Sequence, residues 1–548
     1  MDHTHPAAVL ALTDQSIDEA LLQEVYGDRV ALVDYVKPGF DLAKAAAGVY
    51  EGHPGVEGLI LRKHGIFSFG ATAREAYERM VDLVTLAEKH IEGVGRGVFP
   101  SAQVPTGLSP LSEVAPVVRG LLAVRQDESV ADPVRMILEF RTSEAVLNYV
   151  NGQEVGRYSQ VGVATPDHVI RTKRLPLILP APADQGEAFR EGATAAVDEY
   201  VADYRAYFAR HDGVREPPKN ALDPMPRVVL VPGLGLFGVG NSAVAARIAA
   251  DLAENTVRVV TDAEAVGTYR PVDEAATFDV EYWSLEQAKL SKAVEGPLVR
   301  QVVVITGGAG GIGAATARAF ANQGAEVAVL DLNGGKAAEV AEGIVGLGLC
   351  CDVTDRDTVR ATFDSICEVY GGVDIVVSNA GAAWQGGIGE VDEATQRSSF
   401  ELNFFGHQNV AQAAVRVMLA QRTGGALLFN ASKQAVNPGL GFGPYGLPKA
   451  ATLFLAKQYA LEYGYAGIRS NAVNADRVDT GMFADGVLEE RATARGLSPE
   501  EYLKTGNLLN REVLPEDVAQ AFVALAMARK TTAATLTVDG GNIEASLR

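Results

Sequence analysis

A short run of β-branched residues, Val302–Ile305, leads without a break into Thr306-Gly307-Gly308-Ala309-Gly310-Gly311-Ile312-Gly313, and a helical pattern follows over Ala314–Asn322. Strand, glycine-rich turn and helix in that order leave few folds open. Glycines let the backbone come close to a pyrophosphate, and the helix start offers free N–H groups and a positive dipole end. Further buried-strand runs, Val327–Leu330, Ile375–Val377 and Ala426–Phe429, alternate with helical patterns at Ala450–Tyr463 and Pro515–Met527. Such alternation predicts the α/β class and a doubly wound parallel sheet over residues 296–548.

The second strand of that region ends at Asp331. A carboxylate there can accept hydrogen bonds from ribose hydroxyls and repels a 2′-phosphate. Asn333 follows instead of an arginine, and Ala309 in the loop is not basic, so NAD is expected over NADP. Downstream come Ser432, Tyr445 and Lys449. Tyrosine and lysine four apart share a helix face, and an ammonium beside a phenol favours phenolate. Such a tyrosine can exchange the proton of a carbinol while a nicotinamide exchanges the hydride, with Ser432 holding the same substrate oxygen. Pro448 is tolerable if it lies in the first turn of the helix. A lone Tyr–Lys pair is usually a solvated face. Its place after a glycine loop, an acidic strand end and a serine thirteen residues upstream argues otherwise.

Together these residues resemble the short-chain dehydrogenase/reductase family, which has a Rossmann-type fold. Thr306-Gly307-x-x-x-Gly311-Ile312-Gly313 resembles its cofactor loop, Asp352-Val353 its adenine contact, and Ser378-Asn379-Ala380-Gly381 its fourth-strand motif. Val538-Asp539-Gly540-Gly541 resembles its last strand. The resemblance implies Asn403, Ser432, Tyr445 and Lys449 as catalytic residues, with Asn403 supporting a water relay to Lys449. It implies Gly307, Gly311, Ile312, Gly313, Asp331, Asp352, Val353, Asn379, Ala380, Gly381, Tyr445 and Lys449 as the NAD site. The family has Pro-Gly where this chain has Ala475-Asp476-Arg477. Val478 and Thr480 are expected on the carboxamide, and Asp476 or Arg477 can instead face the substrate. Trp384 and the residues around Phe483 are expected near the substrate pocket. The family also implies a dimer or tetramer.

Near the start, His3-Thr4-His5 places two imidazoles on one face of a strand, and His64 in Lys63-His64-Gly65 is available as a third. Three histidines with an open position suit Zn²⁺ as a Lewis acid. The plainer reading is a loose terminus and a histidine that caps a strand. His-Thr-His-Pro, Pro38-Gly39-Phe40, Lys63-His64-Gly65 and Ala73-Arg74-Glu75-Ala76-Tyr77 resemble the class II aldolase/adducin family. The resemblance implies zinc on His3, His5 and His64, stabilising an enediolate as a sugar phosphate is cleaved. That family carries its phosphate loop and catalytic glutamate ahead of the H-x-H strand, whereas His3 is the third residue here. A truncated aldolase-like domain without useful aldolase activity is therefore expected. The order of the two regions resembles bifunctional rhamnulose-1-phosphate aldolase/short-chain dehydrogenases of rhamnose catabolism. In them the lyase releases L-lactaldehyde, and a small hydroxy-carbonyl compound is implied as the dehydrogenase substrate.

The middle is less informative. Breaks at Gly93–Ser112, at the four-proline stretch Arg215–Pro226 and near Glu295-Gly296-Pro297 divide the chain into residues 1–105, 106–225, 226–295 and 296–548. That agrees with three or four domains for 548 residues. No internal repeat is evident. Arg227–Val231 reads as a strand before Gly233-Leu234-Gly235-Leu236-Phe237-Gly238 and a helix Ala243–Leu252. Val257–Thr261, as a second strand, reaches Asp262 late, so a structural tight turn is favoured over a second nucleotide site. Thr165–Lys173 reads as a charged loop, with anion binding as the alternative, and Trp283 reads as a core anchor. A net charge of −21 argues against nucleic acid and anionic membrane as partners, leaving a small-molecule substrate. Cys350, Cys351 and Cys367 have neither disulfide nor metal spacing, and no signal or 18-residue apolar span is evident, so a cytoplasmic protein is expected.

Overall fold

The structure, a computed structural model, describes residues 1–548 except 17–18, 96, 125–132, 184–185, 214–217, 291–294, 481–486, 494–495 and 543–548. The chain divides into two compact units, Met1–Ser109 with Leu138–Ala293, and Pro110–Ile137 with Val294–Arg548. Residues 110–137 thus belong with the C-terminal unit, although the sequence places them in the middle region. No described helix is long and apolar enough to cross a membrane.

The first unit holds two four-stranded sheets. Strands β1 (Asp2–Thr4), β2 (Val30–Val33), β3 (Gly58–Leu61) and β4 (Gly65–Ser68) lie in the order β1-β4-β3-β2. Strands β5 (Ile137–Arg141), β6 (Leu177–Ile178), β7 (Val228–Val231) and β8 (Gly235–Gly240) lie in the order β5-β8-β7-β6. In each sheet a tight antiparallel hairpin, β3–β4 or β7–β8, has a parallel neighbour on one side. A long helix follows each hairpin, Ala73–Val94 capped by the Thr72 hydroxyl and Ala243–Val266 capped by that of Ser242.

The close contacts repeat as well. A Cβ on Gly65 would come 2.5 Å from the Thr4 carbonyl oxygen, and one on Gly235 would come 2.3 Å from that of Arg141. On Gly70 it would meet the Ala76 nitrogen at 2.5 Å, and on Gly240 the Ala246 nitrogen at 2.3 Å. The unit is therefore built on a structural duplication, which corrects the expectation of no internal repeat. What survives in sequence is little more than those glycines, where only a hydrogen fits, and a Phe on each hairpin. The two halves share one core, in which Leu10, Ile60 and Leu83 pack in a common cluster with Tyr149, Leu230 and Val257.

The duplication also explains Gly233–Gly238. These residues turn β7 into antiparallel β8, and Val257–Thr261 is helical, so the strand–turn–helix of a nucleotide site is absent there. Thr165–Lys173 is not a solvated loop. It forms a 3-10 turn, Pro166–His168, and a helical turn, Val169–Thr172, with Thr165 and Val169 fully buried. Trp283 is half-buried over Gly39, with the Lys37 ammonium 4.7 Å from its ring, and is not a core anchor.

The second unit has the expected doubly wound sheet. Strands β9 (Val302–Thr306), β10 (Glu326–Asp331), β11 (Leu347–Cys350), β12 (Ile375–Ser378), β13 (Gly425–Asn430), β14 (Ile468–Ala475) and β15 (Thr535–Val538) lie in the order β11-β10-β9-β12-β13-β14-β15, all parallel. The strand order reverses between β9 and β12, and ligands of such sheets bind outside the strand ends at that point. Helices Gly311–Asn322 and Pro515–Met527 cover one face through Phe320 and Phe522, both fully buried.

The helix Leu111–Leu121 also belongs to this unit and packs on helices Arg356–Tyr370 and Gly406–Gln421. Its Gly120 lies so close to the Gln421 carbonyl that a Cβ there would sit 1.9 Å from the oxygen. Arg119, 1% exposed, binds both carboxylate oxygens of Asp374 at 3.0 and 2.6 Å, and Arg135 approaches the same carboxylate at 3.1 Å. Burial pushes the Asp374 acid up in pKa, but the Arg119 and Arg135 guanidiniums outweigh it and hold the group below the usual carboxylate range.

Candidate functional site

The glycine loop between β9 and helix Gly311–Asn322 leaves no room for a side chain at Gly307 or Gly313. Gly307 has φ +59°, and a Cβ on it would come 2.9 Å from the Ala380 Cα. A Cβ on Gly313 would sit 2.1 Å from the Gly307 carbonyl oxygen. Asn379 ties the strand ends together. Its Nδ2 donates to the Thr306 and Gly307 carbonyls at 3.0 and 3.2 Å, while its backbone N–H and that of Ala380 donate to Thr306 Oγ1. The Asp331 carboxylate, at the end of β10, accepts from the backbone N–H of Ala309 at 3.1 Å and of Asn333 at 3.0 Å. Val353 closes against Gly406, and Asp352 accepts from Thr354. This bare backbone at a helix start, with a carboxylate at the next strand end, fits a dinucleotide.

Tyr445 and Lys449 sit one turn apart on the helix Gly443–Tyr463, 7% and 2% exposed, with the ammonium 5.9 Å from the phenol ring centre. The helix begins seven residues, about two turns, earlier than the sequence suggested, so Pro448 lies in its second turn and cannot donate to the Pro444 carbonyl. Lys449 Nζ donates to the Asn430 carbonyl at 2.9 Å. Burial without a carboxylate partner lowers its pKa to about 7. Asn403 is fully buried in a π-turn, Glu401–Phe405. Its amide donates to the Ala382 carbonyl at 2.8 Å, and its own carbonyl accepts from Thr452 Oγ1 at 2.8 Å.

Ser432, Tyr445, Val478 and Thr480 line one cavity of about 360 Å³, together with Ile312 of the cofactor helix. Asp476 and Arg477 line it too. Asp476 accepts from Asn542 at 2.8 Å, and Arg477 lies over the Tyr502 ring at 4.9 Å. The departure from Pro-Gly therefore puts a tethered acid and base at the mouth of the site. Trp384 is half-buried outside this cavity, and Phe483 lies outside the described residues. A residue that sequence reasoning missed is His407, fully buried and in contact with Lys449. Its only sequence signal is its place four residues after Asn403.

The three histidines converge in the first unit. β1 pairs with β4 so that His3 lies opposite Phe67, and His64 sits in the β3–β4 turn. One nitrogen from each of His3, His5 and His64 lies within 4.8 Å of the others. His3 Nδ1–H donates to the Ile66 carbonyl at 3.0 Å, which leaves its Nε2 as an acceptor, 3.1 Å from His5 Nε2. Burial, with the neighbouring His5, lowers the His64 pKa to about 4, and its Nδ1 is buried without a hydrogen-bond partner. Neutral imidazoles held together in this way fit a zinc-type ion. The duplicate sheet has Phe140 against Gly235, where His3 meets Gly65, and Leu234 in the hairpin turn, where His64 stands. Sequence reasoning did not reach Thr165, whose hydroxyl donates to the His64 carbonyl at 3.2 Å, or Asp167, whose charge acts on His5 and His64. Lys173 turns away, into a buried group with Tyr204 at 2.8 Å and Glu281 at 3.4 Å.

Residues 1–91 match the class II aldolase and adducin N-terminal domain, residues 109–290 the second domain of class II aldolases, and residues 307–542 the enoyl-(acyl carrier protein) reductase family. The uncharacterized oxidoreductase YuxG of Bacillus subtilis is 32% identical over 99% of this chain and 80% of its own length. The C-terminal part is similar to (+)-borneol dehydrogenase 1 of Salvia officinalis, at 34% identity over 46% of this chain and 96% of that one. It is also similar to cis-4-hydroxycyclohexanecarboxylate dehydrogenase of Sinomonas cyclohexanicum, at 34% identity over 44% of this chain and 96% of that one.

Proposed function

Since this chain belongs to the family in which class II aldolase/adducin-type domains precede a short-chain dehydrogenase, we propose that it is an NAD-dependent oxidoreductase. It interconverts a small hydroxy-aldehyde or secondary alcohol, lactaldehyde-like, with its oxidised or reduced partner, in deoxy-sugar (rhamnose) catabolism. The observation that carries this reading is the convergence of Ser432 and Tyr445 on one cavity beside the glycine loop, with Lys449 one helical turn behind the phenol.

NAD, when bound, supplies the hydride acceptor or donor. Gly307, Gly311, Ile312 and Gly313 would hold its pyrophosphate, Asp331 the adenosine ribose, and Asp352 and Val353 the adenine. Asn379, Ala380 and Gly381 would line its path, with Val478 and Thr480 at the carboxamide. Tyr445 gives or takes the carbinol proton at its Oη, Ser432 donates to the same substrate oxygen, and Lys449 keeps the phenolate accessible. Asn403 acts from behind by fixing the helix turn that Thr452 grips. Relatives named for acting on borneol and on a hydroxycyclohexanecarboxylate support alcohol–carbonyl chemistry. The test follows NADH absorbance with a panel of small hydroxy-carbonyl compounds, using the protein and Tyr445→Phe. Turnover that depends on Tyr445 while NAD still binds is expected; equal turnover by Tyr445→Phe refutes the assignment.

A second reading rests on the convergence of one ring nitrogen each from His3, His5 and His64 within 4.8 Å of one another. These residues would hold Zn²⁺, which polarises a carbonyl oxygen in retro-aldol cleavage of a rhamnulose-1-phosphate-type substrate. Zinc content by elemental analysis, with and without His3→Ala, tests it independently of any lyase activity.

A further inference from the structure

His407 belongs to no part of the mechanism above, yet it is fully buried directly behind Lys449. Its two ring nitrogens have distinct partners. Nε2 lies 3.3 Å from Lys449 Nζ, and Nδ1 lies 2.6 Å from Ser378 Oγ. An ammonium only donates, so Nε2 must be the acceptor in that pair. The ring proton therefore sits on Nδ1 and is donated to Ser378. Ser378 is the last residue of β12 and 3% exposed, so the imidazole is anchored to the sheet rather than to another mobile side chain. Lys449 then has two of its three donors committed, one to the Asn430 carbonyl of β13 and one to His407. The third N–H has no partner among the described residues.

We propose that His407 is a positioning residue which, locked by Ser378 into the tautomer with a bare Nε2, favours the charged form of Lys449 against burial and aims it, and through it keeps the Tyr445 phenol ionisable. The inference rests on the dehydrogenase reading for its purpose, but its geometry stands without it. Burial by itself drives Lys449 toward the neutral amine, and no carboxylate among the described residues opposes this. A neutral imidazole whose lone pair faces the ammonium stabilises the charged form, as hydrogen bonding to a charged group does. Burial and the Lys449 charge keep His407 itself far below its usual range, so the acceptor persists through the working pH. The remaining charged groups around the cavity that Tyr445 lines are Lys433, Asp476 and Arg477. Lys433 is paired with Asp539 at 3.0 Å, Asp476 is held by Asn542 and Arg477 by Tyr502. None of them contacts Lys449.

The experiment titrates the Tyr445 phenol directly by tyrosinate absorbance, as the difference between each protein and its Tyr445→Phe counterpart. His407→Leu removes the acceptor, whereas His407→Gln keeps an acceptor oxygen at similar reach. The midpoint is expected to rise by about one pH unit in His407→Leu, a roughly tenfold loss of phenolate at fixed pH, and to stay near the original value in His407→Gln. An unmoved midpoint in a folded His407→Leu overturns the proposal, as does an equal shift in both variants. If His407→Leu fails to fold, His407→Gln and Ser378→Ala decide. Ser378→Ala frees the tautomer and must raise the midpoint, while His407→Gln must not. The titration needs neither substrate nor NAD. A shift without any NAD turnover would retire the dehydrogenase reading and keep this one, and Tyr445-dependent turnover with no shift would do the reverse.

Discussion

The histidine hairpin of the first unit and the tyrosine–lysine helix of the second are held in place by different means. Three imidazoles are brought together by strand register alone, in β1 and the β3–β4 turn. The same backbone occurs a second time in the same unit with Phe140 and Leu234 in place of His3 and His64. That sheet kept its glycines and its capped helix, so backbone and chemistry are separable there. In the second unit the groups come from helices 406–421 and 443–463, the π-turn 401–405 and the ends of β12 and β13. Such a site rests on the whole sheet being correctly stacked.

Asp374→Ala has the largest expected effect. It leaves Arg119 and Arg135 buried without a counter-charge, which costs about 3–5 kcal/mol. Urea unfolding should show the loss in the second unit's transition, with bound metal unchanged; a loss below about 1 kcal/mol would mean the clamp is decorative. Next comes His64→Leu, which writes the duplicate sheet's residue into the first. Removing this proposed ligand should lower zinc affinity at least about 100-fold, by analogy with losses seen even for outer-shell partners. Competition with a chromogenic chelator measures this, while melting temperature and NAD turnover should hold. An unchanged affinity would place any metal elsewhere.

Asp331→Ser is expected to shift preference from NAD toward NADP by roughly 10–100-fold in the ratio of kcat/KM, about 1.4–2.8 kcal/mol. No shift would mean the ribose is read by another group. Taken per pH unit, the smallest effect concerns Lys449. Lys449 has a folded pKa of about 7, below its ordinary value, so between that point and about 10 the unfolded chain binds the extra proton. Stability of the cofactor-free protein should therefore rise with pH in that window, by up to about 1.4 kcal/mol per unit, relative to Lys449→Met. Parallel thermal scans across pH would reveal a flat difference if the lysine keeps its proton throughout.

Much of the second unit was legible because buried parallel strands read as continuous apolar runs, and Val302–Ile305 and Pro515–Met527 could be placed within a residue. Tyr445 and Lys449 were legible because helical spacing makes neighbours of them. The duplication was not, since its trace is a few glycines whose need appears only when the opposing carbonyl is in view. Nor was the buried state of Lys173, because Tyr204 and Glu281 lie 31 and 108 residues away. His407 and Arg119 share that reason, since each is defined by a partner brought up by tertiary folding.

The placement of helix Leu111–Leu121 has a consequence for synthesis. It reaches the ribosome surface some 300 residues before Gln421, against which its Gly120 packs. At about 5–20 residues per second, that is a wait of roughly 15–60 s. Through that interval Val114, Val118 and the Arg119 guanidinium, all finally buried, have no dehydrogenase sheet to enter. Docking of this helix must therefore wait until the chain has been extended past Gln421. A gene trimmed to begin at Pro297 would encode every residue of the tyrosine site yet omit both guanidiniums that neutralise the buried Asp374 carboxylate.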